Sequence, residues 1–209
     1  MIIAIDGSAA SGKGTLAKRL AKNFGLSHLD TGALYRAVGL QLLNAGYDPK
    51  NIDENQFIKL CVELDITLTT SPLIRTERVA EMASLVAAVP VVRAALLDLQ
   101  RQFAAAPPER NGAILDGRDI GTVVLPNADI KFFLDANINT RAERRTKELL
   151  QARQSVMFRD VLLDLQERDK RDRCRSDSPL HPADDAIVID TSTMDADDVM
   201  ALALSHINA

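Results

Sequence analysis

Residues 7–15 read Gly-Ser-Ala-Ala-Ser-Gly-Lys-Gly-Thr, a spacing of glycines and lysine that could bind a phosphate group. The glycines let the backbone turn so that several N–H groups point towards one spot, and Lys13 adds a mobile cation. A helix that begins near Lys13 would add the positive end of its dipole. The alternative is a glycine turn that matches the pattern by chance. The candidate nucleotide-binding residues are Gly7, Ser8, Ala9, Ala10, Ser11, Gly12, Lys13, Gly14 and Thr15.

The residue after the lysine departs from the strict phosphate-loop pattern. That pattern places Ser or Thr directly after the lysine, as a magnesium ligand. Here Gly14 follows Lys13, and Thr15 comes one residue later. The sequence therefore leaves open whether Thr15 contacts a metal ion, and we assign no metal ligand in the protein.

Arginines are concentrated in the last third of the chain. They lie in 141–145 and in 168–175, and they form a basic face in a chain with a net charge of −4. This face could be a solvated helix surface, because acidic side chains lie among the arginines. The set as a whole favours a second interpretation, since a phosphoryl group in transfer needs several cations around its developing charge.

Short apolar runs must bring these residues to one place. Several of the runs end on an aspartate, and helical patterns separate them. This predicts an α/β fold with a five-stranded parallel sheet flanked by helices, whose strands deliver ligands at their carboxyl ends. Asp30 or Thr31 is well placed to cap the helix after the second strand. The predicted strands are 2–5, 26–30, 113–115, 130–134 and 186–189.

The stretch from about 44 to 106 interrupts the alternation of strands and helices. Its pattern is mostly helical, with one strand predicted at 66–70. We therefore predict a helical subdomain inserted into a single sheet domain, whose core is about 1–43 and 107–209. The predicted helices of the insert are 54–64, 76–87 and 91–104.

The composition of the 209 residues excludes several classes of protein. An apolar fraction of 46% is enough for one sizeable core, and the net charge of −4 gives no reason to expect nucleic-acid binding. Cys61 and Cys174 lack the spacing of a metal site or a disulfide framework, which suits a reducing compartment. No run reaches membrane-spanning length and no signal peptide is evident. We expect a cytoplasmic monomer without membrane or nucleic-acid partners.

Two further motifs are more specific than the glycine loop. Residues 29–36 read Leu-Asp-Thr-Gly-Ala-Leu-Tyr-Arg, and residues 116–124 read Asp-Gly-Arg-Asp-Ile-Gly-Thr-Val-Val. With shorter matches elsewhere, nearly the whole chain resembles the bacterial cytidylate kinases, a group of nucleoside monophosphate kinases. The resemblance implies a P-loop three-layer sandwich with a nucleotide-binding insert and a lid. It also implies transfer of a phosphoryl group from Mg²⁺-bound ATP to CMP and dCMP, in pyrimidine metabolism.

The resemblance implies roles for individual residues. The loop would hold ATP, with Arg144 near its phosphates, and a lid over about 148–165 would close the site. Ser84, Arg93 and Asp119 match the positions that read cytosine, although Asp119 could instead cap a turn or pair with Arg118. The residues expected to stabilise the transition state are Lys13, Arg118, Arg144 and Arg175. The substrate-binding set is Thr31, Tyr35, Arg36, Ser84, Arg93, Arg118, Asp119, Arg168, Asp172 and Arg175.

The insert departs from the longer members of the family. Those members carry a small β-rich segment just ahead of an Ile-Arg-Thr sequence, whereas here only 69–73 separate the predicted strand from Ile74. The sequence therefore predicts a truncated insert.

Two other functions stay open. One is a P-loop kinase for another small acceptor, such as UMP or a non-nucleotide alcohol. The other is a nucleotide-binding switch that hydrolyses its nucleotide slowly. The sequence contains no Asn-Lys-x-Asp guanine signature, which argues against the switch.

Overall fold

Five strands form one parallel sheet at the centre of the fold. The computed structural model describes residues 1–47, 52–109, 111–152 and 154–207. In this part of the chain the strands are β1 (Ile2–Gly7), β2 (Ser27–Asp30), β3 (Ala113–Gly117), β4 (Ile130–Asp135) and β5 (Ile187–Asp190). Their order is β2-β3-β1-β4-β5, and all neighbouring pairs are parallel. The predicted sheet is confirmed.

Helices connect these strands. They are α1 (Lys13–Phe24), α2 (Thr31–Asn44), α3 (Glu54–Val62), α4 (Glu77–Val86), α5 (Pro90–Ala105), α6 (Ile138–Gln151), α7 (Phe158–Cys174) and α8 (Ala196–Ile207). The three helices predicted within the insert agree with α3, α4 and α5 to within two residues at each end.

The side chains of β1 alternate between two cores. Ile3 and Ile5 belong to a buried cluster with residues of α1 and α8, on one face of the sheet. Ala4 belongs to a second cluster with Leu115 of β3 and Ala104 of α5. Because successive residues of a strand point to opposite faces, helices cover the sheet on both sides. This confirms the predicted three-layer sandwich.

Helices α3 and α5 share a further core with α2. Leu34 of α2, Phe57 of α3 and Val92 of α5 belong to one buried cluster, distinct from the two clusters on the sheet. This packing is consistent with a helical subdomain. Its limits at 44–106 stay a prediction, and 48–51 lie outside the described residues.

The strand prediction at Ile66–Thr70 is wrong, because this segment forms a 3₁₀ helix. Its threonines bond to the local backbone. Thr69 and Thr70 donate their hydroxyls to carbonyl oxygens three residues earlier, and the Asp65 carboxylate accepts from the backbone N–H and the hydroxyl of Thr67. Such local bonds compete with strand pairing. The alternation of Thr with apolar residues therefore did not indicate a strand here.

Within the described residues, no single helix is long and apolar enough to span a membrane. Arg78–Val86 and Pro90–Ala105 pass that test only together, by length and composition, and they are bent by 95°.

Candidate active site

The loop after β1 is shaped by residues in left-handed conformations. Gly7 has a φ of 150°, and a β-carbon there would lie 2.0 Å from the carbonyl oxygen of Leu134, so no other residue fits without a shift. Ala10 and Gly12 also have positive φ values, of 59° and 95°. Helix α1 begins at Lys13, directly after this turn. The arrangement is that of a phosphate-binding loop at a helix N-terminus.

Buried polar contacts fix the back of this loop. The Ser8 hydroxyl donates to Asp135 at the end of β4, at 2.5 Å. Arg141 of α6 donates to the Ala9 carbonyl at 3.3 Å, and it forms a two-pronged ion pair with Asp169 of α7, at 3.1 and 2.6 Å. The loop is thereby connected to the helix that carries the second group of arginines. No motif in the sequence indicated this role for Asp135 or Arg141.

A cavity of about 530 Å³ opens in front of the loop, at the carboxyl ends of the strands. This volume lies in the range of small-molecule sites. Gly7, Ser8 and Ala9, at the start of the loop, are buried and do not line the cavity. The predicted site residues that line it are Ala10, Ser11, Gly12, Lys13, Gly14, Thr15, Thr31, Tyr35, Arg36, Ser84, Arg93, Arg118, Asp119, Arg144, Arg168, Asp172 and Arg175.

Arg93 and Asp119 face each other at the insert side of the cavity. Both are buried, and the Arg93 guanidinium donates to the Asp119 carboxylate. The guanidinium also lies 5.9 Å from the ring centroid of Tyr35. Ser84, on α4, accepts a hydrogen bond from Arg171 at 3.2 Å. A cation and an anion with opposite hydrogen-bonding preferences are thus held side by side.

The alternative roles of Asp119 do not match this geometry. Asp119 occupies the position before the turn Ile120–Val124, but its side chain makes no capping hydrogen bond. Arg118 pairs with Asp172 instead, at 2.8 Å. The Asp119 carboxylate therefore neither caps its own turn nor pairs with its neighbour in sequence.

Cations in the centre of the cavity outnumber the acids that face them. The Arg168 side chain lies 3.9 Å from Asp172, and its buried Nε has no hydrogen-bond partner among the described residues. Burial, and then the charge of Arg118, lower the pKa of Arg168. Burial also lowers the pKa of Arg36 and that of Arg175. Such a cluster is suited to bind an anion, which would supply the missing negative charge.

Arg144 and Arg175 lie in other parts of the cavity. Arg144 donates to the hydroxyl and the carbonyl of Thr191, at 2.9 and 2.6 Å, and to the Met194 carbonyl at 3.1 Å. It therefore lies at the loop between β5 and α8. Arg175 lies 3.9 Å from Asp119, beside the Arg93–Asp119 pair, and donates to the Ser178 carbonyl. Their predicted catalytic roles stay predictions.

The motif at the end of β2 is held against β3. Asp30 caps α2 by accepting from the Ala33 N–H at 3.1 Å, while the Thr31 hydroxyl donates to the backbone carbonyl of Asp116 at 2.8 Å. His28 Nε2 lies 2.7 Å from Asp116 Oδ1. Asp116 lies in a motif that gave no indication of this role, and no signal in the sequence pointed to His28.

Comparisons with known proteins identify the family of this chain. The family model described as cytidylate kinase matches residues 3–209. The chain belongs to the cytidylate kinase family. It is 51% identical to a cytidylate kinase from Paramagnetospirillum magneticum, covering 100% of this chain and 98% of the relative. It is 48% identical to one from Bradyrhizobium diazoefficiens, covering 100% and 96%. The predicted family is confirmed.

A solved structure supports the fold independently. A protein from Eubacterium ventriosum, described as uncharacterized, superposes with a TM-score of 0.53 over 100% of this chain and 99% of that one. Its sequence identity is 15%, so this likeness concerns the fold alone.

Proposed function

We propose that this protein is a cytidylate kinase, which transfers the γ-phosphoryl group of ATP to CMP or dCMP and releases ADP with CDP or dCDP. One observation supports this assignment above all. A single cavity joins the phosphate-binding loop to the buried Arg93–Asp119 pair, and between them Arg118 and Arg168 share one acid, Asp172. The end at the loop suits a polyphosphate, and the end at the Arg93–Asp119 pair suits a base. The arginines between them suit the phosphoryl group during transfer.

The reaction requires charge stabilisation and alignment of two polyanions. Lys13 at the loop and Arg118 in the centre are the cations that we place on the transferring group. Arg144 on the ATP side and Arg175 on the acceptor side complete the proposed set. A general base is not required, because the attacking oxygen belongs to a phosphate that is already ionised at neutral pH.

ATP-dependent kinases use Mg²⁺, and one carboxylate in the cavity suits this ion. Asp116 Oδ1 is engaged by His28, while Oδ2 lies 3.6 Å from the position that a β-carbon on Gly14 would take. Mg²⁺ usually binds one or two carboxylates together with substrate phosphates. No group of three His, Cys, Asp or Glu side chains in the described residues could hold a metal. Asp116 would therefore share the ion with ATP, and the ion would supply positive charge to the phosphate oxygens.

The proposal includes closure of a lid over about 148–165 and of the insert at 44–106. Closure would exclude water, which would otherwise compete with the acceptor for the phosphoryl group. The middle of the lid lies between α6 and α7, where Met157 is 69% exposed, and residue 153 lies outside the described residues. A monomer in the cytoplasm, acting in pyrimidine nucleotide metabolism, is also part of the proposal.

A panel of acceptors tests the assignment. ADP release is measured with ATP, Mg²⁺ and CMP, dCMP, UMP or AMP in turn, and without acceptor. We expect CMP and dCMP to stimulate ADP release strongly and the others weakly. Stronger stimulation by another acceptor would favour a different kinase. Slow hydrolysis that no acceptor stimulates would favour a nucleotide switch.

ATP binding is expected to take up a proton above about pH 7. Burial, and then the charge of Arg118, lower the pKa of Lys13 from 10.5 to about 7. Phosphates beside the amine would favour its charged form and raise the pKa again. Above pH 7 free Lys13 is mostly neutral, so binding adds a proton and the affinity for ATP falls as pH rises. Below pH 7 Lys13 is charged in both states, and this contribution disappears.

Calorimetry at about pH 8, in two buffers with different ionisation enthalpies, measures this proton uptake. The variant Lys13→Arg carries a charge throughout and should take up no proton at this site. Equal uptake in wild type and variant would assign the proton to another group.

A further inference from the structure

Asp6 joins the phosphate-binding loop to the turn that carries Asp119. It is the residue of β1 directly before Gly7, and its carboxylate is buried. Oδ1 accepts a hydrogen bond from the backbone N–H of Ile120, and Oδ2 accepts one from Gly121, both at 2.7 Å. One buried carboxylate thus binds the first two amides of the turn Ile120–Val124.

An aspartate at the start of a helical turn normally binds such amides with its own side chain. Asp119 holds that position, and its backbone carbonyl accepts from Val123 and Val124 at 2.9 and 3.1 Å. Its carboxylate nevertheless makes no capping bond and faces Arg93. Asp6, on strand β1, caps the turn Ile120–Val124 in its place.

Within the described residues, the Asp6 carboxylate forms no ion pair with a basic side chain. Lys131 passes beside Gly121, but its ammonium donates to both carboxylate oxygens of Asp185, at 2.8 Å each, and to the Pro126 carbonyl. Burial raises the pKa of Asp6 to about 6, and the bonds from Gly121 and Ile120 oppose that rise. The described hydrogen bonds of the Asp6 carboxylate are those two. A buried carboxylate is costly, and here it satisfies amides that would otherwise be unpaired.

We propose that Asp6 is a positioning residue for cytosine recognition, which caps the Ile120–Val124 turn so that the Asp119 carboxylate stays free to pair with Arg93 and to read the base. The inference rests on the proposed role of Asp119 in base recognition. When Asp6 cannot cap, Asp119 is the nearest acid in sequence that can turn back onto the free amides. It would then leave the cavity.

The variant Asp6→Asn tests this inference. Asparagine keeps the size of the side chain but offers one acceptor oxygen instead of two, so one amide loses its partner. We expect the CMP-to-UMP ratio of kcat/KM to fall about tenfold, mainly through a higher KM for CMP. Asp129→Asn is the matched control, because Asp129 accepts from the Ile2 N–H at 2.7 Å, at the other end of β1. Its ratio should equal that of the wild type.

A double-mutant cycle with Asp119→Asn separates positioning from general damage. If Asp6 acts through Asp119, then Asp6→Asn should lower the ratio no further in the Asp119→Asn background. An additive loss, or a wild-type ratio in Asp6→Asn while Asp119→Asn loses selectivity, would overturn the inference alone. An unchanged ratio in Asp119→Asn would overturn the base-reading proposal and this inference with it.

Folding is checked on the same variants by thermal unfolding. If Asp6→Asn does not fold, Asp6→Ser, which keeps one acceptor in a smaller side chain, takes its place in the cycle. Failure of both variants, with Asp129→Asn folded, would overturn the inference by showing that Asp6 is needed for the fold itself.

Discussion

Replacing Lys13 by alanine is expected to lower kcat for CMP phosphorylation about a hundredfold or more, while the Kd for CMP changes little. Lys13 starts α1 directly after the loop and lines the cavity. Its charge would act on the β- and γ-phosphates of ATP, where negative charge builds up during transfer. In the proposed function the acceptor base would bind at the other end, beside the Arg93–Asp119 pair that lines the cavity there. Lys13→Ala should therefore affect the chemical step far more than acceptor binding.

Steady-state kinetics and CMP titration, each with the folded variant, check this expectation. Lys22→Ala is a suitable control, since Lys22 is exposed in the last turn of the same helix and does not line the cavity. Its kinetics should match those of the wild type. Near-normal turnover of a folded Lys13→Ala enzyme would remove the loop from the proposed mechanism.

The sheet could be predicted because its pattern is set by burial. The central strands β1, β3 and β4 are largely buried and mostly apolar, and this signal survives without knowledge of their partners. The segment Ile66–Thr70 lacked such a constraint, since all five residues are partly or fully exposed. There, local bonds from threonine and aspartate side chains decided the backbone conformation. Prediction therefore succeeded for strands whose conformation is set by burial, and it failed for a segment whose conformation is set by local hydrogen bonds.

The arginine-rich segments contain two kinds of residue that the sequence could not separate. Arg141 is 3% exposed and paired with Asp169, and Arg173 donates to Asp135 at 3.0 Å, so both support the loop from behind. Arg168 lines the cavity, and its Nε lies 3.9 Å from Asp172 without a hydrogen bond to any described residue. The interpretation as acid–base pairs thus holds most closely for Arg141 and Arg173, whereas Arg168 shares Asp172 with Arg118. Only the tertiary structure shows which acid each arginine meets.

The supporting residues escaped prediction for the same reason. Asp6 binds amides 114 and 115 residues away, and Arg141 binds a carbonyl 132 residues away. No spacing in the sequence connects such positions. The residues that are proposed to contact ligand, in contrast, lie within motifs or match the family residue by residue. The sequence therefore predicted the lining of the cavity better than the contacts that hold that lining in place.

Replacing Asp119 by asparagine is expected to abolish most of the preference for CMP over UMP. Cytosine presents an amino donor beside an acceptor nitrogen, whereas uracil presents a carbonyl acceptor beside an N–H. In the proposed role the Asp119 carboxylate would accept from the amino group and the Arg93 guanidinium would donate to the ring nitrogen. Uracil would place its carbonyl acceptor against the carboxylate and its N–H against the guanidinium, so both contacts would be unfavourable. Two buried mismatches should give the wild type a preference of about a thousandfold for CMP.

An asparagine amide at position 119 can turn to donate to the uracil carbonyl, so the mismatch is relieved on one side. The CMP-to-UMP ratio of kcat/KM, measured in one assay, should therefore collapse mainly through lost activity with CMP. Asp177→Asn is a matched control, because Asp177 lies 3.3 Å from Arg93 but its side chain is 49% exposed. Because the Asp177 carboxylate is half-exposed, solvent screens its charge, so this variant should keep the wild-type ratio. Equal effects of the two variants would mean that both acids act only by holding Arg93, and the arginine alone would then distinguish the two bases.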